Sequence, residues 1–274
     1  MQGMPKEKQR SYFYHVAKRI RPMLPYGLLG NLLQWLTGEI HEADFEVFKF
    51  LSQVDGLVLD VGASRGQSAL SILRRPSRLR VFSVEPNRKH RWSLSLIRLL
   101  YPLRFSFRLV AAGEERSQKT LYVPGRRGSG LSAQGSLDPN EFEKDYVHQR
   151  LAKSGFDASD KNRYRLMPVR VEPLDKFDLA PDLIKLDVEG FEQQALQGLD
   201  KTLRSHFPVL LIEINNPERW LPYLESLGYG FYSYDEANQS LKACSDRRGV
   251  LNLFCLNSNN KSQITRILKR KVET

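Results

Sequence analysis

The chain has 274 residues, 41% hydrophobic and 27% charged, proportions that exclude a disordered or membrane-embedded chain and suit one α/β domain with additions. The formal charge of +11 is clustered: residues 1–22 hold six Lys/Arg against Glu7, residues 74–108 hold ten against Glu85, and residues 261–274 hold five against Glu273. Such runs are ordinarily solvated faces and tails, and otherwise meet anionic lipid headgroups or a phosphorylated substrate.

Two cysteines, Cys244 and Cys255, have neither metal-type spacing nor a small scaffold to staple, so a reducing, cytoplasmic setting is expected. No signal segment and no run of about 18 apolar residues is found. Residues 1–52 read as a helical, basic N-terminal extension. Within it, Tyr12 to Trp35 mixes aromatics with Lys18, Arg19 and Arg21, a composition that could lie on a membrane surface, although Pro22 and Pro25 would interrupt a helix. Residues 53–260 form the main domain, and 261–274 a basic C-terminal tail.

Along the domain, short apolar runs alternate with amphipathic stretches, as βαβ units do. Strands are predicted at 56–62, 79–86, 105–112, 182–190 and 208–215, each near-continuously apolar and so buried on both faces of a parallel sheet. Helices are predicted at 66–74, 89–100, 191–203 and 217–227, the last stopped by Gly228. Two further runs, from Gly228 and from Gly249, are separated by a polar loop and not by a helix, which predicts an antiparallel hairpin at the sheet edge. The fold class is therefore α/β and Rossmann-like, with a mostly parallel seven-stranded sheet and helices on both faces. The interval 113–181, with two β-like pieces and a Gly-, Ser- and Arg-bearing stretch, reads as a lid or substrate insertion.

Chemistry-bearing residues fall at the carboxyl ends of these strands, where open α/β sheets bind ligands. The first strand runs into Asp60, Gly62, Ala63, Ser64 and Gly66, a D-x-G-x-x-x-G turn without the second close glycine of a pyrophosphate loop. The second ends at Glu85-Pro86-Asn87, a carboxylate able to accept from two ribose hydroxyls. The fourth carries Lys185, Asp187 and Glu189 at alternate positions, and the fifth Glu213 and Asn215, so two acidic tips converge on adjacent strands. A self-satisfied ion network would also fit this pattern.

Together LDVGASRGQSAL, FSVEPNRKH, IKLDVEGFEQQALQGL and VLLIEIN, in this order from about Leu57 to Leu256, resemble the FkbM-type methyltransferases, as does a short serine-bearing segment at Ser129–Ser132. The resemblance implies a class I methyltransferase fold and S-adenosylmethionine (SAM) dependent transfer, usually to a hydroxyl of a sugar, glycan or secondary metabolite. It implies that Asp60, Gly62, Ala63, Ser64 and Gly66 line the methionine and ribose side and that Glu85, with Pro86 and Asn87, holds the ribose. Ala111 or Ala112 would border the adenine, and Asp187 would sit beside the methyl group.

The first candidate base is Asp187, with Glu189, Glu213 and Lys185 as alternatives. Placement of Asp187, Glu213 and Asn215 also resembles the Mg²⁺ site of catechol-type methyltransferases. His41, His90 and His206 read as surface or packing residues, His148 as a residue of the lid, and His15 has no assigned role. The expected partner is a small-molecule or glycan acceptor, anionic or lipid-linked, without nucleic acid. Membrane contact through the basic termini and a homodimer are further expectations. Competing readings are an RNA-binding or RNA-modifying protein, a nicotinamide oxidoreductase, weakened by the missing glycine, and a catalytically silent module.

Overall fold

In a computed structural model of the chain, residues 28–124, 135–140, 164–260 and 262–272 are described. The first basic cluster with His15, the segment Ser129–Ser132 and His148 lie outside the described residues.

The apolar run after Asp55 forms strand β1 (Asp55–Val61), whose alternate side chains are divided between the two sides of a sheet: Val58 packs into one core cluster, Leu59 and Val61 into the other. Helix α1 (Leu28–Thr37) precedes it, followed by a 3-10 helical segment, Ala43–Leu51, whose Phe45, Val47, Phe48 and Leu51 are wholly buried. Phe45, Val47, Phe48 and Leu51 of the expected extension thus pack into the core that covers one face of the sheet.

After β1 come α2 (Gln67–Leu73), β2 (Arg78–Val84), α3 (Arg91–Leu100) and β3 (Phe105–Arg108). The strand predicted over 105–112 breaks at Leu109–Val110. Its second half, β4 (Ala111–Ala112), leaves the main sheet and pairs with β6 (Tyr164–Glu172), which is itself antiparallel to β5 (Ser117–Pro124). The insertion thus carries a three-stranded sheet, in order β4-β6-β5, closed around Leu121, Val123, Val169 and Val171.

The chain re-enters the main sheet as β7 (Leu183–Leu186), then forms α4 (Glu192–Gln197), α5 (Asp200–His206), β8 (Val209–Glu213) and α6 (Pro217–Ser226). Pro217 opens α6, where its fixed φ is favourable and its missing N–H has no partner to lose. β9 (Tyr229–Asp235), β10 (Ser240–Ala243) and β11 (Asn252–Asn257) complete an eight-stranded sheet in the order β10-β9-β11-β8-β7-β1-β2-β3. The five strands from β8 to β3 are mutually parallel, and β11 lies antiparallel between β8 and β9. The eighth strand is β10, within the loop expected to be irregular; its alternation pairs it with β9.

Two cores cover the two faces. On one, α2, α3, the 3-10 segment and α7 (Gln263–Lys269) pack on the sheet. On the other lie α4, α5 and α6, with Trp220 buried beneath them. The expected basic tail is in part this α7: Ser262 caps it through the Thr265 N–H, Ile264 and Leu268 are fully buried, and its cations face outward. Among the described residues no helix is long and apolar enough to cross a membrane.

Candidate active site

The turn from β1 to α2 is fixed by close approach. Gly62 has φ +81°, and a Cβ there would overlap the carbonyl oxygen of Asp187, at the end of β7. Its N–H donates to the Val84 carbonyl on β2 at 2.9 Å, so one glycine is wedged between the tips of two strands. Gly66, at φ +89°, is pressed against Ile97 of α3 in the same way. Asp60 faces away from this turn. Its buried carboxylate accepts from Ser68 on α2 at 2.9 and 3.0 Å and from Ser83 on β2 at 2.8 Å.

Glu85, at the tip of β2, is 6% exposed, and each of its oxygens accepts a backbone N–H: Oε2 from Ser64 at 2.7 Å and Oε1 from Asn87 at 2.6 Å. Burial pushes its carboxyl up to about 8, against the lowering effect of these two N–H donors. A cavity of about 600 Å³, including its open mouth, lies beside it. Gly62, Ser64, Glu85, Pro86, Asn87, Ala111, Ala112 and Asp187 all line this cavity. Asp60, Ala63 and Gly66, also expected at the cofactor, do not: they shape the turn from behind, because β1 turns Asp60 toward α2 and Gly66 packs on α3. The insertion contributes Leu121, Gly135 and Leu137, and the residues after β7 contribute Val188 and Phe191. Leu121, Gly135 and Leu137 bear no sequence signal, whereas Val188 and Phe191 lie in the IKLDVEGFEQQALQGL run without a role assigned to them.

The second half of the site lies where β7 and β8 end. Lys185, 4% exposed, donates to Asp187 Oδ2 at 2.8 Å and reaches the Gly62 carbonyl at 3.4 Å. Burial works to discharge the ammonium, but Asp187 and Asp60 outweigh it and hold it above its ordinary value. Burial likewise works to protonate Asp187, while Lys185 keeps its carboxyl below the usual range. Glu213 moves the other way: burial first, then the charge on Asp187, drive its carboxyl well up, so it retains a proton and shares it with Asp187.

The expected period of two does not persist to Glu189. β7 ends at Leu186, and Glu189 and Gly190 take positive φ (+51° and +95°), yet this turn still brings a carboxylate oxygen of Asp187, Glu189 and Glu213 within 4.8 Å of one another. These three, and not Asn215, are the acidic group that could surround a cation. The Asn215 amide N–H donates instead to Glu213 at 2.8 Å. The donor set already holds the Lys185 ammonium and a proton, which balance charge where a divalent ion would sit.

Three residues of the site were given no part in it by the sequence reading. Glu192, 1% exposed, accepts the Gly190 N–H at 3.1 Å and so fastens the turn after β7, with burial lifting its carboxyl to about 7. Ser136 donates to the Glu189 carbonyl at 2.6 Å, tying the insertion to the same turn. His41, expected as surface or packing, lies close enough to Asp187 and Lys185 to feel both charges; burial lowers its pKa, and Glu42 at 3.4 Å opposes that.

The methyltransferase FkbM domain family matches residues 60–231, more than half of the chain. Among solved structures, the methyltransferase FkbM from Methylobacillus flagellatus KT is 19% identical with a TM-score of 0.46, over 91% of this chain and 59% of that one. This chain therefore spans less than two thirds of that protein. An rRNA methylase from Streptococcus thermophilus is 10% identical (TM-score 0.35, 77% of this chain and 90% of that one). So is TrmK of M. capricolum, solved with S-adenosyl-homocysteine (TM-score 0.37, 81% and 70%). No curated protein matches the chain. From the span of the family match, which takes in both halves of the site, the chain belongs to the FkbM methyltransferases.

Proposed function

We propose that the chain transfers a methyl group from SAM to a hydroxyl oxygen of a sugar, glycan or secondary metabolite. The observation that carries this reading is Glu85: a buried carboxylate, aligned by two backbone N–H groups, on the wall of a cavity that also exposes the Gly62 backbone. Glu85 is suited to accept from the two ribose hydroxyls of SAM. The small side chains of Ala111 and Ala112, with Val110 and Leu121, suit a flat purine.

SAM, when bound, supplies a methyl group on a positively charged sulfur. The remaining work falls to this chain. Lys185 keeps Asp187 ionised, so a carboxylate lines the cavity and can take the proton of an acceptor hydroxyl. Glu213 already holds a proton, which makes it a donor toward Asp187 and not a competing base. Glu192 and Ser136 fix the turn that carries Glu189, and with it the rim on which an acceptor would be aligned.

Calorimetric titration of the full chain with SAM, and separately with NADH, tests the reading. SAM binds and NADH does not, and Glu85→Ala weakens SAM on the order of 100-fold, the loss of two hydrogen bonds to the ribose. A folded chain that fails to bind SAM, or that binds it unchanged without Glu85, overturns the proposal.

A further inference from the structure

Helix α3 has an unusual outer surface. Its inner side, Ser93, Leu94 and Ile97, is buried against the sheet. At 100° per residue the opposite side is centred on Trp92, Ser95 and Leu99, where a surface helix ordinarily carries polar groups. Instead Trp92 is 62% exposed and Leu99 76%, and Leu103, in the turn that follows, is 90% exposed.

The charge around this stripe is of one sign. From Pro86 to Gly113 the sequence has no Asp or Glu. Within the basic run, Arg74, Arg75, Arg78 and Arg104 are engaged, with the Gln34 carbonyl, Glu46, Asp55 and the Leu79 carbonyl respectively. Arg88, Arg91 and Arg98 pair with no carboxylate among the described residues and point to solvent. The small sheet extends the patch: Arg165 lies near enough to Lys89 to repel its charge, and Leu166, on the face of β6 that also carries Arg170, is 60% exposed. Between helix and sheet, Arg88 and Arg170 line an open hollow with Gln118 and no acidic residue.

We propose that this face, the outer side of α3 with the adjoining edge of the small sheet, docks on an anionic lipid bilayer. Separate apolar side chains, one of them Trp, would enter the boundary between headgroups and acyl chains, while the flanking arginines meet lipid phosphates. Arg88 and Arg170 are spaced about a hollow open to a headgroup. A second copy of the chain on this face would set Arg91 and Arg98 against their own counterparts, which opposes a symmetric dimer. An RNA strand would use the arginines and leave Leu99 and Leu103 without a role. The inference stands apart from the methyl-transfer reading, although the turn Pro86–Asn87 that lines the cavity leads directly into Arg88.

The test is cosedimentation of the full chain with phosphatidylcholine vesicles, with and without phosphatidylserine, read together with Trp fluorescence. Binding is expected only to the serine-containing vesicles, to fall with salt, and to shift the emission of Trp92, a shift absent in Trp92→Phe. Because the basic termini could also bind lipid, the deciding variants are on the face itself. Arg91→Glu with Arg98→Glu, and Leu99→Ser with Leu103→Ser, are exposed changes that leave the fold intact, and each should weaken binding at least about 10-fold. Undiminished binding in both variants overturns the proposal in favour of the termini. It is also overturned by tighter binding to a single-stranded RNA oligonucleotide than to the vesicles, or by self-association that the leucine variant abolishes.

Discussion

The two halves of the site solve the same problem, a carboxylate at a buried strand tip, by different means. Glu85 is held by backbone N–H groups from its own turn and from the first loop, with no cation in hydrogen-bonding contact among the described residues. Asp187 is held by a side-chain ammonium and a neighbouring carboxyl. Backbone donors fix direction but do not cancel charge, so burial prevails at Glu85 and lifts its carboxyl; Lys185 cancels the charge of Asp187, and its carboxyl stays low. A ligand-gripping group and a proton-accepting group can thus stand on the strands that flank β1 in one sheet with opposite tendencies to ionise.

Gly62 joins the two halves, and breaking that joint should have the largest effect. In Gly62→Ala the new methyl overlaps the Asp187 carbonyl while φ stays in the left-handed region, so β1 and β7 must separate. We expect a loss of more than about 4 kcal/mol and little folded protein, seen in soluble yield and circular dichroism. A variant that folds with an unchanged melting temperature would mean that the halves are not locked through this backbone contact.

Next in size is Lys185→Met, which leaves the partly buried Asp187 without its counter-charge and removes neither of the N–H bonds that hold Glu85. Removing one partner of a buried pair costs about 3–5 kcal/mol, on the order of 10 °C in Tm for a domain of this size. The deficit should shrink in acid, where Asp187 can be protonated. A Tm close to that of the parent chain, or a deficit independent of pH, would break the contrast between a charge-balanced half and a backbone-held half.

How far these halves could be read in advance follows from what determines them. The Gly62–Glu85 pairing is local chemistry on two successive βα units, and the spacing of a glycine turn and a carboxylate at the next strand tip is enough to find it. The convergence of Asp187 on Glu213 needs only that β7 and β8 be neighbours, which parallel crossovers favour. Other features depend on contacts that one sequence does not display. No glycine or proline marks the break at Leu109–Val110 that sends Ala111 and Ala112 into a second sheet; pairing with Val171 and Glu172 decides it. Ser240–Ala243 becomes a strand because β9 offers an open edge. In α7 the pair Ile264 and Leu268 has helical spacing behind the Ser262 cap, but the surrounding cations masked it. His41 reaches the charged pair only through tertiary packing of the segment before β1.

The smallest predicted effect separates the halves by pH alone. Glu85 has a folded pKa of about 8 against an ordinary value of 4.5. Its contribution to stability is therefore complete below about 4.5 and is lost as pH rises through 8. Asp187, with its pKa lowered, contributes above its ordinary value of 3.8 and loses that contribution only as pH falls below it. Between pH 5 and 8 Glu85 should therefore weaken the ligand-free chain, as should Glu192, whose carboxyl is raised to about 7, and Glu213, whereas Asp187 should not. One proton accounts for at most about 1.4 kcal/mol per pH unit, or roughly 3–5 °C in Tm. Glu85→Gln mimics the protonated side chain, so its melting temperature should lie near that of the parent at pH 5 and fall less steeply by pH 8. The same variant at Asp187, Asp187→Asn, should leave the slope over this range unrelieved. Parallel Tm–pH curves for the parent and Glu85→Gln would show that the two N–H donors keep Glu85 ionised after all, and that the two halves differ in geometry but not in charge.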